Sequence, residues 1–133
     1  MPKISFTIPI MVFFLAGGCG AAARYLLSAG VHRICGENFP WGILVVNLLG
    51  CFLFGLCFIL LERWFPPDVS GTQKWIFLTG FLGAFTTFST FMFDTVTLLE
   101  QAKYMHACAN LLTHNVLGII MIFCGLTVGL CVF

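Results

Sequence analysis

The chain has 133 residues, of which 60% are hydrophobic and only 8% are charged, and its formal net charge is +1. Soluble domains carry about a quarter charged residues, and a chain this short cannot bury so much apolar surface in water. A soluble domain is therefore excluded, and the small charge provides no basic field for nucleic acid. We expect an all-α integral membrane protein in which lipid solvates the apolar side chains.

Four apolar runs divide the chain, and one helical span needs about 20 residues, so residues 1–133 accommodate a single four-helix transmembrane domain. We predict spans over residues 8–31, 41–61, 75–97 and 107–133. Lys3 and the first run resemble a signal peptide, but three further spans favour a first helix that is retained. The seven cysteines form no C-x-x-C pair, so we expect apolar packing residues, without structural disulfides or a zinc site.

The basic residues are almost evenly divided between the two sides of such a domain. Lys3, Arg63 and Lys74 would lie on one side, and Arg33 and Lys103 on the other. The positive-inside rule then barely selects an orientation. Two alternatives stay open: the protein inserts both ways and pairs as an antiparallel dimer, or other signals fix a single orientation.

Two polar residues interrupt the first two runs. Arg24 can snorkel to the interface, pair with Asp94 or Glu100, or raise the potential for an anion at a vestibule, and the first two uses are the commoner ones. Asn47 is the only strongly polar side chain in residues 41–61. Its amide offers two donors and one acceptor site, so it either bonds another helix or lines a pore.

The third run holds the densest group of hydroxyl residues. Gly80 and Gly83 precede four of them, Thr86, Thr87, Ser89 and Thr90. Glycine and β-branched threonine lower helix propensity, and membrane proteins tolerate a broken helix where the freed backbone lines a cavity or binds an ion. The sequence predicts such a break, which offers carbonyls to a small cation and N–H and hydroxyl groups to an anion. The alternative is an intact helix whose hydroxyls bond back to the preceding turn.

Aromatic and polar residues near this stretch have two interpretations each. The positive ring edges of Phe88 and Phe91 can touch a partly dehydrated anion, although core packing is the commoner role of phenylalanine. In the fourth run, His114 is either a proton carrier or a satisfied polar residue.

The sequence contains no Ser/His/Asp set, phosphate-binding loop or paired carboxylates, so we expect no enzymatic activity.

Three signatures in this order resemble the Fluc (CrcB) family of fluoride channels, and the resemblance covers most of the chain. The signatures are Gly17-Gly18-x-Gly20-Ala21-x-x-Arg24-Tyr25, Asn47-x-x-Gly50 and Gly80-x-x-Gly83-x-x-Thr86-Thr87-Phe88-Ser89-Thr90-Phe91. The resemblance implies a passive fluoride-selective channel that exports fluoride across the cell inner (plasma) membrane. It also implies four transmembrane helices per subunit, a broken third helix and an antiparallel dual-topology homodimer.

Residue roles follow from the same resemblance. The fluoride pathway would be lined by Asn47, Phe88, Phe91, Ser89 and Thr90, with Arg24 at a vestibule. The backbone carbonyls of Gly83 and Thr86 from both subunits would hold a structural sodium ion (Na⁺) at the dimer centre. Two positions depart from the family pattern: Asp94 stands where a glutamate is usual, and Asn110 where a tyrosine is frequent, so we assign no role in the fourth helix.

Two other functions stay open. A small four-helix proton-coupled exporter needs a membrane carboxylate, commonly in its first helix, and the first two predicted spans contain none. A non-transporting membrane scaffold protein would carry no ion, and changes at Asn47 or Phe88 would then alter stability only. A paralogous subunit of opposite orientation is an alternative to a second copy as the partner.

Overall fold

The computed structural model describes the backbone of residues 7–64 and 76–132, and every element within these ranges is helical. We number the helices α1 (Thr7–Cys35), α2 (Trp41–Trp64), α3 (the π-helical Ile76–Leu82 followed by the α-helical Gly83–Phe85), α4 (Phe88–Glu100) and α5 (Tyr104–Cys131). Four residues named in the predictions lie outside the described residues. They are Lys3, Lys74, the first residue of the predicted third span (Trp75) and the last residue of the predicted fourth span (Phe133).

Four segments of the described chain are long and apolar enough to cross a membrane. They are Ile10–Cys35, Trp41–Trp64, Leu78–Glu100 and Tyr104–Cys131. The third of these begins within α3, at Leu78, and includes all of α4. The prediction of an all-α protein with four spans is therefore confirmed, and the chain is a multi-pass membrane protein.

Two helix ends use the left-handed backbone conformation. Helix α1 ends at Gly36 (φ 78°), whose N–H donates to the His32 carbonyl at 3.0 Å. Between α4 and α5, Ala102 (φ 55°) occupies the position that usually belongs to glycine. Its N–H donates to the Leu99 carbonyl, and the next N–H donates to the Leu98 carbonyl, which is the Schellman arrangement. This cap makes the connection between α4 and α5 short.

Glycines allow the backbones of crossing helices to come into direct contact. Helix α2 packs most extensively on α5, where Gly55 faces the Ile122 carbonyl and Gly125 faces the Phe52 carbonyl. Helix α1 packs on α3 in the same way, with Gly20 against the Phe81 carbonyl. A Cβ atom at any of these glycines would collide with the facing backbone. Small residues play this part in membranes because lipid supplies no hydrophobic drive between helices.

Candidate functional site

The third span is divided by two residues with extended backbone. Thr86 has φ −83° and ψ 161°, and Thr87 has φ −150° and ψ 121°, so α3 ends at Phe85 and α4 begins at Phe88. In a continuous helix the N–H of Thr87 would donate to the Gly83 carbonyl. Here it donates to the side chain of Asn47, which leaves the Gly83 carbonyl without its helical donor.

Asn47 of α2 holds this extended segment through its amide. Its Oδ1 accepts from the Thr87 N–H at 2.9 Å, and its Nδ2 donates to the Thr87 carbonyl at 3.0 Å. One turn further along α2, Gly50 lies against the Thr86 methyl group, where a Cβ would collide. Because an amide nitrogen has two hydrogens, one remains after the Thr87 carbonyl is satisfied. Both residues of the second-helix signature thus contact the interruption in the third span.

Thr87 also caps the N-terminus of α4. Its Oγ1 accepts from the Thr90 N–H at 3.3 Å and donates to the Thr90 hydroxyl at 3.0 Å. The Ser89 hydroxyl is 3.4 Å from the same atom. The Thr90 N–H would otherwise donate to the Thr86 carbonyl, so this cap frees a second carbonyl. Three hydroxyl groups therefore gather at the beginning of α4.

A cavity of about 230 Å³ lies beside this segment. Its lining consists of Asn47, Cys51, Thr86, Thr87, Phe88, Phe91, His114 and Asn115. Phe88 is 72% exposed whereas Phe91 is only 3% exposed, and the two rings meet edge to face with centroids 5.7 Å apart. The structure thus brings three of the predicted fluoride-pathway residues together, Asn47, Phe88 and Phe91, with Phe88 at the mouth and Phe91 in the wall.

A second cavity of about 480 Å³ lies on the other side of α4. Arg24, His32, Thr90 and Asp94 are among the residues that line it. The Arg24 guanidinium reaches the interruption itself, because Nη1 donates to the Thr86 carbonyl at 3.4 Å. Ser89 is exposed and lies outside the lining of both cavities. The predicted site residues therefore divide between two neighbouring cavities, except for Gly83 and Ser89, which line neither.

The fourth span contributes residues to which the sequence assigned no role. The His114 ring stacks on Phe91 with centroids 4.1 Å apart, and its Nδ1 is 3.0 Å from the Asn110 carbonyl. Asn110 is fully buried and donates from Nδ2 to the Thr95 hydroxyl at 2.9 Å, so it joins α5 to α4. Asn110 and His114 are four residues apart in an apolar helix, so both lie on one face. This spacing is the sequence pattern that indicates that the two side chains share an environment.

Two backbone carbonyls of the interruption are oxygen donors of the kind that a cation could bind. Among the described residues, no three His, Cys, Asp or Glu side chains cluster as a metal site. The carbonyls of Gly83 and Thr86 both lack their helical donors, and Arg24 approaches the second of them. Hard cations such as Ca²⁺ take about six to eight oxygen ligands, so two carbonyls of one chain form only part of a shell.

Comparison with known proteins extends over most of the chain. The sequence model of the family described as CrcB-like protein, Camphor Resistance (CrcB), matches residues 11–126. The chain is 46% identical over 115 residues to the fluoride-specific ion channel FluC of Nitrosococcus oceani, covering 86% of this chain and 90% of that protein. It is 47% identical over 116 residues to the protein of the same name from Solidesulfovibrio magneticus, with coverage of 86% and 90%. The corresponding protein of Parabacteroides distasonis is 36% identical over 122 residues, with coverage of 92% and 93%. The chain therefore belongs to the CrcB family.

Proposed function

We propose that this protein is a passive fluoride channel that exports fluoride across the cell inner membrane. The observation that carries the proposal is the cavity beside Thr86 and Thr87, which offers hydrogen-bond donors and aromatic rings and has no carboxylate in its lining. The names of the relatives from N. oceani and S. magneticus support fluoride as the ion. Because the proposed flow needs no energy source, fluoride moves down its electrochemical gradient.

Groups in the cavity offset part of the free energy that is lost when a small anion gives up its water. Transfer of a bare ion of this class into a medium of low dielectric constant costs on the order of 20 kcal/mol. In this cavity the remaining amide hydrogen of Asn47 and the ring edges of Phe88 and Phe91 replace part of the hydration shell. The hydroxyls of Ser89 and Thr90 lie outside its lining and extend the proposed pathway at the beginning of α4. Binding also has to stay weak enough for release, and neutral donors without a fixed counter-charge satisfy that requirement.

A second copy of the chain is part of the proposal. Thr79, Gly83, Phe88 and Ser89 are all exposed, so one face of the third span presents hydroxyl groups and a residue with a freed carbonyl. Lipid cannot satisfy such groups, whereas an antiparallel second copy buries them. The even division of basic residues supports insertion in both orientations.

The paired arrangement provides the proposed place for sodium. The Gly83 and Thr86 carbonyls of both copies would then give four oxygen donors, and carbonyl oxygens suit a hard cation. A bound sodium ion supplies positive charge between the two copies. The Arg24 guanidinium, which lines the second cavity and bonds the Thr86 carbonyl, adds positive potential beside the interruption.

Fluoride efflux from liposomes that contain the purified protein tests the function. With no pH gradient, we expect rapid fluoride loss while parallel chloride-filled liposomes retain their chloride. Phe88→Ile should lower fluoride efflux about tenfold, because it removes the ring edge at the mouth of the cavity. Phe93→Ile is the matched control: this phenylalanine lies on the same helix, is 70% exposed and is absent from both cavity linings.

Each alternative gives a different result in the same experiment. Loss of fluoride and chloride at equal rates, or no fluoride loss from folded protein, would contradict a fluoride-selective channel. Fluoride movement that appears only with an imposed pH gradient would indicate a proton-coupled exporter. A scaffold protein would move neither ion, and Phe88→Ile would then change stability alone.

A further inference from the structure

Four residues join α4 to α5 beside the cavity. Phe91 and Thr95 lie one turn apart on α4, and Asn110 and His114 lie one turn apart on α5. Because the two helices run in opposite directions, Phe91 meets His114 while Thr95 meets Asn110. We call these four residues the α4–α5 frame. Helix α5 is the main helical packing partner of α4, so the frame strongly influences where α4 lies.

Hydrogen bonds and one ring contact close the frame on all four sides. Between the helices, Asn110 Nδ2 donates to the Thr95 hydroxyl at 2.9 Å, and the His114 and Phe91 rings stack with centroids 4.1 Å apart. Within α4, the Thr95 hydroxyl donates to the Phe91 carbonyl at 2.8 Å. Within α5, His114 Nδ1 is 3.0 Å from the Asn110 carbonyl, and since a carbonyl only accepts, Nδ1 carries the hydrogen. Each residue of the frame is thus held by two others.

The frame fixes the orientation of the Phe91 ring. The imidazole of His114 covers one face of this ring at an interplanar angle of 24°. Rotation of the ring about its Cβ–Cγ bond would push it into the imidazole. An aromatic ring is negative on its face and positive at its edge, so an anion is sensitive to this orientation. An anion in the cavity therefore meets Phe91 in one fixed orientation.

Stability alone does not account for the amide of Asn110. The side chain is fully buried and lies outside the linings of both cavities, and its Oδ1 has no hydrogen-bond partner among the described residues. A buried acceptor without a partner is unfavourable, and an apolar side chain would avoid that cost. The Thr95 hydroxyl would still donate to the Phe91 carbonyl, so α4 would be left without an unpaired donor. What the amide adds is the bond between the two helices.

We infer that Asn110 is a positioning residue for the proposed pathway, which holds the Phe91 ring in its orientation toward the cavity through Thr95 and His114. Asn110 lies outside the cavity lining and acts on the anion only through Phe91. The inference rests on the proposed function, because the ring it concerns is one that the proposed pathway uses.

The mobility of the ring tests the inference without any transport. The probe is 3-fluorophenylalanine incorporated at position 91 of the purified protein in detergent micelles, observed by ¹⁹F NMR. A fluorine at this ring position has two environments that exchange when the ring flips. We expect two separate signals from the otherwise wild-type protein, because its ring flips slowly. Asn110→Val should merge them into one signal, because the frame no longer holds His114 against the ring.

Fluoride efflux and unfolding are measured on the same variant without the label. Asn110→Val should lower fluoride efflux about fivefold, because a loosely held group loses part of its effect on a bound ion. Its midpoint of unfolding by denaturant should be no lower than that of Thr127→Val. Thr127→Val is the matched control: it removes an exposed hydroxyl of the same helix that donates to the Phe123 carbonyl. It should keep two separate ring signals and wild-type efflux.

A second variant removes the same bond from its other side. Thr95→Val nearly keeps the volume of the side chain but removes the hydroxyl that joins Asn110 to Phe91. It should also merge the two ring signals and lower fluoride efflux. Where Asn110→Val fails to fold, the ring signals of Thr95→Val decide.

The outcomes separate this inference from the function on which it rests. A single signal from the wild-type frame, or two signals that persist in Asn110→Val, would overturn the positioning role while fluoride efflux still stands. Unchanged efflux in a variant whose signals have merged would overturn it as well. Absence of fluoride efflux from the folded wild-type protein would overturn the proposed function, and this inference with it.

Discussion

Replacement of Asn47 by alanine should destabilise the fold as well as the pathway, and the structure gives the magnitude. The amide makes two hydrogen bonds to the backbone of Thr87, a residue that is only 8% exposed. Each buried polar group left without a partner costs about 1–3 kcal/mol, so loss of both bonds should cost about 2–6 kcal/mol. The free energy of unfolding, extrapolated from denaturant titration in detergent micelles, measures this cost.

Two further variants serve as comparisons for Asn47→Ala. Asn115→Ala removes an exposed amide from the same cavity, which donates to the Leu111 carbonyl of its own helix, and should cost about 0.5 kcal/mol or less. Asn47→Asp keeps an acceptor for the Thr87 N–H, so it should lower the free energy of unfolding less than Asn47→Ala does. It also places a carboxylate in the cavity, so it should lower fluoride efflux strongly. If Asn47→Ala and Asn115→Ala unfold with equal free energies, the amide does not hold Thr87 and the reasoning is refuted.

Two other predictions concern the helix connection and the cation. Ala102→Gly should raise the free energy of unfolding by about 0.5–1 kcal/mol, because the left-handed conformation costs an L residue about 1–2 kcal/mol and glycine offsets part of that gain by its entropy. Ala109→Gly, inside α5, is the control and should lower it by about 1 kcal/mol, and a loss of stability in both variants would contradict the role of the cap. Exchange of sodium for potassium at equal ionic strength should raise the dissociation constant of the dimer several-fold in a dilution series, because the larger ion fits four carbonyls set for sodium less well. Equal dissociation in the two salts would speak against the sodium site.

The four spans could be predicted because each apolar run is as long as a membrane is thick. The helix ends could not, because an apolar run marks the extent of hydrocarbon contact and not the last helical residue. Helix α1 continues through His32 and Arg33 to Cys35, and it ends where Gly36 adopts the left-handed conformation. The apolar run that contains Ile76–Leu82 predicts a helix but does not distinguish its π-helical turns from α-helical ones.

Side-chain roles were predictable only where local chemistry suffices. The hydroxyl-rich stretch indicated a cation or anion site from its own residues, whereas the bond between Asn47 and Thr87 joins residues 40 positions apart and depends on how two helices cross. The amide could equally have lined a pore or bonded a helix, and in the structure it contacts the third span and also lines the cavity. His114 looked like a lone polar residue, because burial of one ring nitrogen is a property of packing that no local pattern records.

The two extended residues between α3 and α4 also set a rotational register. In extended backbone each residue advances the chain by about 3.3 Å and successive side chains point to opposite faces. A single residue inserted between Phe85 and Phe88 would therefore displace the start of α4, moving Phe91 away from His114 and Thr95 away from Asn110. The length of the interruption is thus a requirement on this chain in addition to the identity of Thr87, whose side chain caps α4.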